Sequence, residues 1–578
     1  MTRLMVSAMQ GDPAFTADLA AARHEIAALR QDGGAAKPDT AFCIPNLSTD
    51  GTSMTDTSSR LLLDRRTLIG AAAAMIGAPA ILHAQQLFGA YPFRLGIAAG
   101  DPVADGFVIW TRLAPDPLAE HGGMPMQPVE VAWQVATDPR FATLVAGGKA
   151  LARPELAHSV HVEVEGLLPD RPYWYRFSVG SERSPAGCAR TLPIAGASLE
   201  RLRFAVAGCQ NYEDGLYTAY RHLAAEEPAF VFHYGDYIYE GRSAPMPVGY
   251  DGKPRRFVRE HAGQKLFDLA DYRRRYAQYK TDPDLQAAHA AAAWFVTFDD
   301  HEIENNWVGE IDQENDPPEV FALRRAAAFQ AYYEHMPLRR SAFPGPAGMQ
   351  IYRRATIGNL LDLHLLDTRQ FRTDQPCDDG FKTRCKGWAD PAAQVMGRAQ
   401  EAWLATALKQ KKARWNALAQ QVMMMPLDRR TGDEPTPIRN MDSWGGYDAP
   451  RERVLKMVEG LGNTVVLTGD EHQNYAGVLR TEAGQGDAVA VEFVGTSITS
   501  GGDGADRRVG EDRIRDRNPF LAWTNDRRGY LLCEVTADQW KTEFRTVDSV
   551  TRPDAPVKTA GTAIIEHGLA AVTMTASA

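Results

Sequence analysis

The chain has 578 residues, of which 44% are hydrophobic and 24% are charged, so it holds enough apolar material for more than one folded core. Its formal net charge of -10 argues against a nucleic-acid partner, because that affinity depends on clustered Lys and Arg that neutralise phosphates. Six cysteines without a C-x-x-C pair exclude a zinc ribbon and a disulfide-dense scaffold, while Cys377 and Cys385 leave one local bridge open.

The pattern of residues 54–84 is that of a targeting signal. Arg65 and Arg66 precede an apolar stretch that ends in small residues at Ala84. The stretch is shorter than the roughly 20 apolar residues that a membrane span needs. It therefore predicts a signal of twin-arginine type, cleaved after Ala84, and the twin-arginine export machinery as a partner. We expect a periplasmic or secreted protein without a permanent membrane anchor; a buried core helix is the alternative.

Residues 1–53 precede this signal, although such signals normally open a chain. They contain a short helical pattern and then a stretch rich in Gly, Pro, Ser and Thr without periodicity. Either Met54 is the true start and residues 1–53 are not part of the structure, or they form a genuine N-terminal extension. The sequence leaves both interpretations open.

Residues 90–195 have a β-rich pattern. Short alternating runs such as VEVAWQVA and PYWYRFSVG are separated by turns. This is typical of a small β-sandwich, similar to a fibronectin type III or immunoglobulin-like module. We expect this domain to pack against the part of the chain that follows.

Residues 200–555 alternate buried strands with amphipathic helices. The apolar runs are RFAVAG, AFVFHYGD, WFVTFDD, LLDLHLLD, TVVLTGD and VAVEFVG. Helices are expected over 215–226, 268–280, 319–335, 391–410 and 449–460. The alternation predicts an α/β layered domain. Strands are expected near 529–547, and residues 556–578 are expected to be a C-terminal tail.

Polar side chains follow five of the apolar runs, at the edge where open α/β sheets collect their ligands. They are Cys209, Asp236 with Tyr239, the block Asp299 to Asn306, Asp367 with Arg369, and Asp470 with His472. Each has an ordinary explanation when taken alone, such as a buried small cysteine or a turn cap. The acidic block resists that explanation, because adjacent carboxylates repel one another without a cation. Together they predict a metal centre.

Phosphoester hydrolysis is the chemistry that such a set favours. Two or more ions about 3.5–4 Å apart bind phosphate oxygens and lower the pKa of a bound water. Asp236 is the candidate bridging carboxylate, and the thiolate of Cys209 with the phenolate of Tyr239 favours iron. Oxygen ligands favour a harder ion such as calcium, magnesium or manganese; the candidates are Asp300, Asn305 or Asn306, and Asp470.

Other polar side chains near this set are candidates for catalysis. His301 is placed to act as a general acid toward the leaving oxygen. A bidentate clamp on the phosphate is the role expected for Arg369, or for Arg324 and Arg325.

These motifs resemble the PhoD-type alkaline phosphatases and phosphodiesterases of the calcineurin-like metallophosphoesterase superfamily. The likeness covers the twin-arginine segment, the β-sandwich, and the blocks GCQ, HYGDYIYEG, FDDHEIENNW, AYYEHMPLR, LLDTRQFR and LTGDEHQNYAG. It implies a four-layer α/β/β/α sandwich and an exported enzyme that acts on phosphomonoesters and phosphodiesters. It also implies a site that holds both Fe³⁺ and Ca²⁺.

The resemblance also implies a division of the ligands. The implied iron ligands are Cys209, Asp236, Tyr239 and His472. The implied calcium ligands are Asp236, Asn305 and Asp470, with Asp300 close by. The wider superfamily has Gly-Asn-His-Glu where this chain has Asp299-Asp300-His301-Glu302, so Asp300 and Asn305 remain alternatives.

Rival functions are disfavoured by missing motifs. The chain has no Gly-x-Ser-x-Gly nucleophile elbow and no Gly-x-x-x-x-Gly-Lys-Ser/Thr loop, which argues against a serine hydrolase and an NTPase. The alternative that remains is a catalytically degenerate metallophosphatase fold that only binds. The intact Cys, Asp, Tyr and His positions count against that alternative.

Overall fold

The computed structural model describes residues 88–241 and 257–576. The predicted extension 1–53 and the predicted signal 54–84 lie outside these residues. Within the described ranges, no helix is both long enough and apolar enough to cross a membrane.

The strands and helices are numbered here in chain order. The strands are β1 (Ile97–Val103), β2 (Gly106–Arg112), β3 (Val129–Ala136), β4 (Leu144–Ala152), β5 (Ser159–Val164), β6 (Pro172–Val179), β7 (Glu182–Arg183), β8 (Gly187–Arg190), β9 (Leu202–Ala207), β10 (Phe230–His233), β11 (Ala293–Val296), β12 (Arg353–Ile357), β13 (Leu361–Leu365), β14 (Phe381–Thr383), β15 (Trp415–Ala419), β16 (Ile438–Asn440), β17 (Thr464–Thr468), β18 (Asn474–Arg480), β19 (Ala488–Val494), β20 (Leu521–Asn525), β21 (Gly529–Val535), β22 (Gln539–Val547), β23 (Val557–Glu566) and β24 (Thr573–Ala576). The helices are α1 (Thr218–Ala225), α2 (Leu269–Lys280), α3 (Pro283–Ala291), α4 (Pro318–His335), α5 (Gly397–Lys409), α6 (Asp448–Val458) and α7 (Glu511–Arg517).

Two mixed sheets form the centre of the fold. Sheet A has the strand order β24-β23-β22-β21-β9-β10-β11-β1-β2-β5, and sheet B has the order β12-β13-β15-β17-β19-β18-β20. Strands β9, β10 and β11 run parallel, as do β13, β15, β17 and β19. Parallel strands are normally covered on both faces, which explains why these runs are apolar throughout.

The two sheets pack face to face, and helices cover their outer faces. Phe204 and Phe232 of sheet A share a core with Leu363, Trp415 and Val465 of sheet B. Helices α1, α2 and α4 pack on the other face of sheet A, and α5 and α6 pack on the other face of sheet B. Burying each large apolar side chain contributes about 1.5–3 kcal/mol. The layers are therefore α/β/β/α, as the family resemblance implies.

The N-terminal β-rich segment forms a sandwich that shares a sheet with the rest of the chain. Its smaller sheet has the order β4-β3-β6-β7, with β8 paired to β6. Its other strands, β1, β2 and β5, belong to sheet A, because β1 pairs in parallel with β11. Phe107, Ile109, Val131 and Tyr175 fill the space between the two layers. Backbone hydrogen bonds, and not packing alone, join this segment to the following strands.

The helices expected from amphipathic periodicity are all present, as α1, α2, α4, α5 and α6. Helix α3 was not expected, although its start carries a clear signal. Asp282 caps it by accepting from the backbone N–H groups of Asp284 and Leu285 at 2.9 and 3.1 Å, and Pro283 occupies its first position.

The C-terminal residues 556–578 differ from the expected tail. Val557–Glu566 and Thr573–Ala576 extend sheet A beyond β22. The reason is the alternation in β23, which buries Gly561, Ala563 and Ile565 while the intervening residues face outward. Pairing with β22 along its length satisfies the backbone of this strand.

Candidate metal centre

The predicted site residues lie in the loops that follow parallel strands. Cys209 follows β9, Asp236 follows β10, and Asp470 follows β17. These three residues have φ angles of 52°, 56° and 67°, and His472 has 51°, a left-handed conformation that residues other than glycine seldom adopt. Such backbone conformations persist only where the surrounding structure enforces them, and they concentrate at functional sites.

The glycines in front of these residues make room for one aromatic ring. A Cβ added to Gly208 or Gly469 would lie 2.2 or 2.1 Å from the ring of Tyr234, and one added to Gly495 would lie 3.1 Å from it. The Tyr234 hydroxyl donates to the carbonyl of Thr496. The repeated glycines therefore allow loops from both sheets to close around Tyr234, which brings Cys209 and Asp470 to the same edge.

Among the residues that the structure describes, three groups of side chains could hold a metal ion. The first comprises Cys209, Asp236 and His472, the second Asp236, Asp300 and His301, and the third Asp299, Asp300 and Asp470. Within each group, one potential ligand atom of every member lies within 4.8 Å of the others. Asp236 and Asp300 each belong to two groups, so the three form one continuous cluster. The structure thus brings together Cys209, Asp236, Asp300, Asp470 and His472, as predicted.

Tyr239 joins the first group through its phenol oxygen. The hydroxyl donates to Asp236 Oδ2 at 2.9 Å and lies 3.1 Å from His472 Nε2. Ser500 Oγ donates to the Tyr239 hydroxyl oxygen at 2.6 Å and lies 2.8 Å from the carbonyl oxygen of Cys209. Ser500 has no counterpart in the sequence-derived set, because an isolated serine after β19 carries no distinctive pattern.

The carboxylates of the cluster fit a cation. Asp236 Oδ1 and Asp300 Oδ1 are buried and accept no hydrogen bond from the part of the chain that the structure describes. Burial raises the pKa of Asp236 to about 7 and that of Asp299 to about 8. Burial and the neighbouring carboxylates Asp299 and Asp300 raise the pKa of Asp470 as well. A bound cation would satisfy these orphaned oxygens and reverse the repulsion.

The pKa shifts of the cysteine and the histidine in the first group also fit a bound metal. Burial and the carboxylates of Asp236 and Asp470 raise the pKa of the Cys209 thiol. Burial, with Arg528 nearby, lowers the pKa of His472 to about 3, which keeps its imidazole neutral. A neutral imidazole is the form that ligates a metal. A thiol is converted to the ligating thiolate when a metal binds it.

His301 lies at the more accessible side of the cluster. Its Nδ1 is 2.7 Å from Glu240 Oε2, and its ring lies 4.1 Å from the ring of Tyr239. Although burial opposes the charged form, the carboxylates of Asp300, Glu240 and Asp236 raise the pKa of His301 well above its usual value. A protonated imidazole beside the cluster is able to give a proton to a leaving oxygen.

Arg369 occupies a place different from the one expected of a phosphate clamp. Its guanidinium is fully buried, with Nε 2.6 Å from Asp299 Oδ1 and Nη2 2.7 Å from Asp442 Oδ2. Nη2 also lies 3.6 Å from Asp300 Oδ1. Arg369 therefore lies against two acidic residues of the cluster, Asp299 and Asp300. Asp442 was missed, since it lies in a loop far from every recognised motif.

Arg324 and Arg325 are also engaged elsewhere, contrary to the clamp role considered for them. Arg324 forms an ion pair with Glu304 and its Nε lies 3.2 Å from the Tyr272 hydroxyl. Arg325 donates to the carbonyl of Gly309 and lies 3.9 Å from Glu310. Both residues lie on α4, and none of these bonds joins them to a member of the three ligand groups.

Asn305 and Asn306 differ in their relation to the cluster. The side-chain amide of Asn305 donates to Gln313 Oε1 at 2.6 Å near the surface. The backbone N–H of Asn306 donates to Asp300 Oδ2 at 2.8 Å. The Asn305 bond uses the amide nitrogen and not Oδ1, the atom that would bind a metal, so Asp300 and Asn305 stay alternatives.

Glu302, inside the acidic block, fastens two ligand loops together. Its buried carboxyl accepts from the N–H groups of Asp236 at 3.1 Å, Tyr237 at 2.5 Å and Asp299 at 2.9 Å. Backbone donors to a buried carboxylate are strong hydrogen bonds. Glu302 is thus a support for the site, a role that its position in the motif did not reveal.

Comparison with known proteins agrees with this geometry. The family model described as PhoD-like phosphatase matches residues 204–544, and the model for the N-terminal domain of PhoD-like phosphatases matches residues 78–193. Alkaline phosphatase D of Bacillus subtilis (strain 168) is 48% identical over 482 residues, which are 83% of this chain and 81% of that protein.

Solved structures show the same relationship. The structure titled "Structure of PhoD" superposes with a TM-score of 0.81 at 47% identity, over 85% of this chain and 93% of that one. The purple acid phosphatase PPD1 from yellow lupin (Lupinus luteus) seeds superposes with a TM-score of 0.50 at 13% identity, over 82% and 74% of the two chains, a likeness of fold alone. The buried ligand clusters and this relationship make the protein a metal-dependent phosphoesterase, and the chain belongs to the PhoD-like phosphatase family.

Proposed function

We propose that the chain is an exported phosphoesterase that uses Fe³⁺ and Ca²⁺ to hydrolyse phosphomonoesters and phosphodiesters. The observation that carries the proposal is the convergence of Cys209, Asp236 and His472 within 4.8 Å, with the Tyr239 hydroxyl bonded to Asp236 at 2.9 Å. A thiol, a phenol and an imidazole with one carboxylate form a donor set suited to iron.

Calcium is proposed for the oxygen-rich part of the cluster. Asp299, Asp300 and Asp470 offer only carboxylate oxygens, which a hard cation such as Ca²⁺ prefers. Asp236 belongs to the cysteine-containing group and also shares a group with Asp300, so it is the candidate bridge between the two kinds of ion. The ions, when bound, supply the positive charge that lowers the pKa of the attacking water and neutralises the phosphate.

The chain's own residues hold the ligands and handle the proton. Arg369 and Glu302 fix Asp299 from two sides, and Glu302 also fixes the backbone of Asp236. Glu240 orients the His301 ring through Nδ1, which leaves Nε2 as the nitrogen that gives a proton to the leaving alcohol. No arginine is assigned as a phosphate clamp, because each candidate forms an ion pair with a carboxylate: Arg369 with Asp299, Arg324 with Glu304 and Arg325 with Glu310.

Export by the twin-arginine route is part of the proposal. It rests on Arg65 and Arg66 before the apolar stretch that ends at Ala84. The Cys377–Cys385 disulfide is consistent with an oxidising compartment. The test is N-terminal sequencing of protein recovered from outside the cytoplasm, with Arg65→Lys combined with Arg66→Lys as the export-deficient comparison. Cytoplasmic retention of the wild type, with an uncut N-terminus, would refute export by the twin-arginine route.

Metal analysis and colour test the iron assignment. Ferric iron bound by a thiolate and a phenolate absorbs visible light, so purified protein should be coloured and Cys209→Ala should bleach it. Cys188→Ala is the matched control, because Cys188 is a free cysteine outside the cluster. A colourless wild type with full activity would refute this ligand set.

Chelation and turnover test the remaining parts. EGTA should abolish hydrolysis reversibly if calcium is required, and indifference to EGTA would point to transition metals alone. Turnover of p-nitrophenyl phosphate and of its bis ester distinguishes the enzyme from the alternative, a degenerate fold that only binds. Absence of turnover of both substrates with iron and calcium present would favour that alternative.

A further inference from the structure

A short loop closed by a disulfide lies beside the metal centre. Cys377 and Cys385 are bonded, and we call residues 377–385 the disulfide loop. At its end the loop forms β14, which pairs with β16 in a small two-stranded sheet. Neither the metal cluster nor the proton transfer described above uses any side chain of this loop.

One side of the disulfide loop is attached to the acidic block. Asp379 Oδ2 accepts from Asn306 Nδ2 at 2.6 Å and from Gln313 Nε2 at 2.7 Å. The backbone N–H of Asn306 in turn donates to Asp300. Two steps of hydrogen bonding therefore separate Asp379 from a residue of the cluster.

The other side of the loop is attached to the loop after β17. The guanidinium of Arg429 lies 5.1 Å from the ring centroid of Phe381, a cation–π contact. The same guanidinium forms an ion pair with Glu471, which stands between Asp470 and His472 in the chain. The Phe381 ring is thus linked, through Arg429 and Glu471, to the loop that holds Asp470 and His472.

A third attachment runs through the pairing of β14 with β16. Phe381 stands opposite Asn440, and the Asn440 side chain accepts from the N–H of Asp442 at 3.0 Å. Asp442 is the carboxylate that holds Arg369 behind the cluster. The disulfide loop is therefore connected to the acidic block, to the loop after β17 and to the Asp442 carboxylate that pairs with Arg369.

Phe381 is nevertheless exposed. The residue is 61% accessible, although it is large and apolar and the Arg429 guanidinium lies against its ring. Lys382 and Arg384 follow it in the chain and Asp378 and Asp379 precede it, so the loop is neutral overall. The cation against the ring is Arg429, which covers one face and leaves the residue exposed. An exposed ring held in place by a guanidinium suits a ligand that carries a flat ring.

We propose that Phe381 is a specificity-determining residue that stacks on an aromatic group in the alcohol part of the phosphate ester, as in aryl or nucleoside phosphates. This inference rests on the proposed function. The Cys377–Cys385 bond serves to hold the ring in position, because closing a short loop restricts the conformations available to β14, the strand that carries Phe381.

The test compares two substrates that differ in the ring. In wild type and Phe381→Ala, kcat/KM is measured for phenyl phosphate and for glycerol 2-phosphate, and the ratio of variant to wild type is taken for each. Stacking of two rings predicts a fall of about threefold to tenfold for phenyl phosphate, with glycerol 2-phosphate little changed. Phe381→Trp should restore the preference for phenyl phosphate.

A binding measurement separates the subsite from turnover. Phenylphosphonate and methylphosphonate are titrated against the holoenzyme, and Phe381→Ala should weaken only the first, by a similar factor. The double variant Cys377→Ser with Cys385→Ser should behave like Phe381→Ala. Tyr91→Ala is the matched control, because Tyr91 is an exposed aromatic residue of the N-terminal segment, bonded to the carbonyl of Arg183.

The outcomes decide separately. Equal losses for both substrates in Phe381→Ala, or no loss for either, would overturn the subsite while leaving the proposed function intact. Weakened binding of phenylphosphonate in Tyr91→Ala would overturn it too, since the effect would not be local. Absence of hydrolysis of both substrates by the wild type would refute the proposed function. In that case the binding measurement still tests the subsite, and unchanged phenylphosphonate binding in Phe381→Ala would refute it. Unaltered behaviour of the double serine variant would overturn the role given to the disulfide.

Discussion

Replacing Asp442 by alanine should destabilise the protein strongly. Asp442 Oδ1 accepts from Arg369 Nη1 at 2.8 Å, from Arg372 Nη1 at 2.9 Å and from Gln375 Nε2 at 2.8 Å, and Oδ2 lies 2.7 Å from Arg369 Nη2. All four side chains are buried. Removing one partner of a buried ion pair costs about 3–5 kcal/mol, because a charge remains without compensation. We expect a loss in that range.

The same substitution should also reduce the metal content. Arg369 would keep its bond to Asp299 but lose the carboxylate that holds its other end, so the acidic cluster would lose a fixed support. Asp442→Asn retains one acceptor oxygen without the charge. We therefore expect it to lie between wild type and Asp442→Ala in both stability and bound metal.

Urea unfolding followed by tryptophan fluorescence measures the stability, and elemental analysis measures the metal. Asp512→Ala is the comparison, because Asp512 is 77% exposed in its ion pair with Arg507. Exposed pairs of this kind contribute less than about 1 kcal/mol. If Asp442→Ala were no more destabilised than Asp512→Ala, the reasoning about the buried network would be wrong.

Three further changes test other parts of the structure. Gly469→Ala should destabilise by about 1–3 kcal/mol, because its Cβ would lie 2.1 Å from the Tyr234 ring, whereas Gly89→Ala meets nothing within 4 Å; equal unfolding midpoints would contradict this. Burial lowers the pKa of His233 to about 3 from its ordinary 6.5, so the wild type loses stability as pH falls from 6.5 toward 3. His233→Phe should remove about 2 kcal/mol of that loss at pH 5, and an unchanged pH dependence of unfolding would count against it. Arg325→Ala should leave KM for p-nitrophenyl phosphate unchanged, because Arg325 is bonded to Gly309; a rise of about tenfold would restore the clamp role.

The layered fold was predictable because its strands and helices carry strong local patterns. The run that became β9 is apolar at nearly every position, as a strand buried on both faces must be. The sharing of sheet A by β1 and β11 was not predictable, because the pairing of strands distant in sequence leaves no local mark. The strand β23 was missed for a different reason: small and polar residues occupy many of its positions, which weakens the alternating pattern.

The convergence of the candidate ligand residues was predictable because each follows an apolar strand at a sheet edge. Cys209, Asp236, Asp470 and His472 all fall in one cluster. The supporting residues were not, because Asp442, Ser500 and Glu240 act through contacts made only when distant loops meet. The ion pairs of the arginines were not predictable, because a guanidinium near a motif in sequence can equally face a buried carboxylate, and the sequence does not show which; their clamp role stays a prediction.

The position of β9 in sheet A has a consequence for how the protein is made. This strand, which leads into Cys209, has β10 on one side and β21 (Gly529–Val535) on the other. Residues 208–528 separate the two strands in the chain, so β9 stays without one neighbour until the ribosome has made all of them and then β21. The loop that holds Cys209 is therefore completed only once β21 has been made, and a metal ion that this loop helps to bind would gain its full site only after that point.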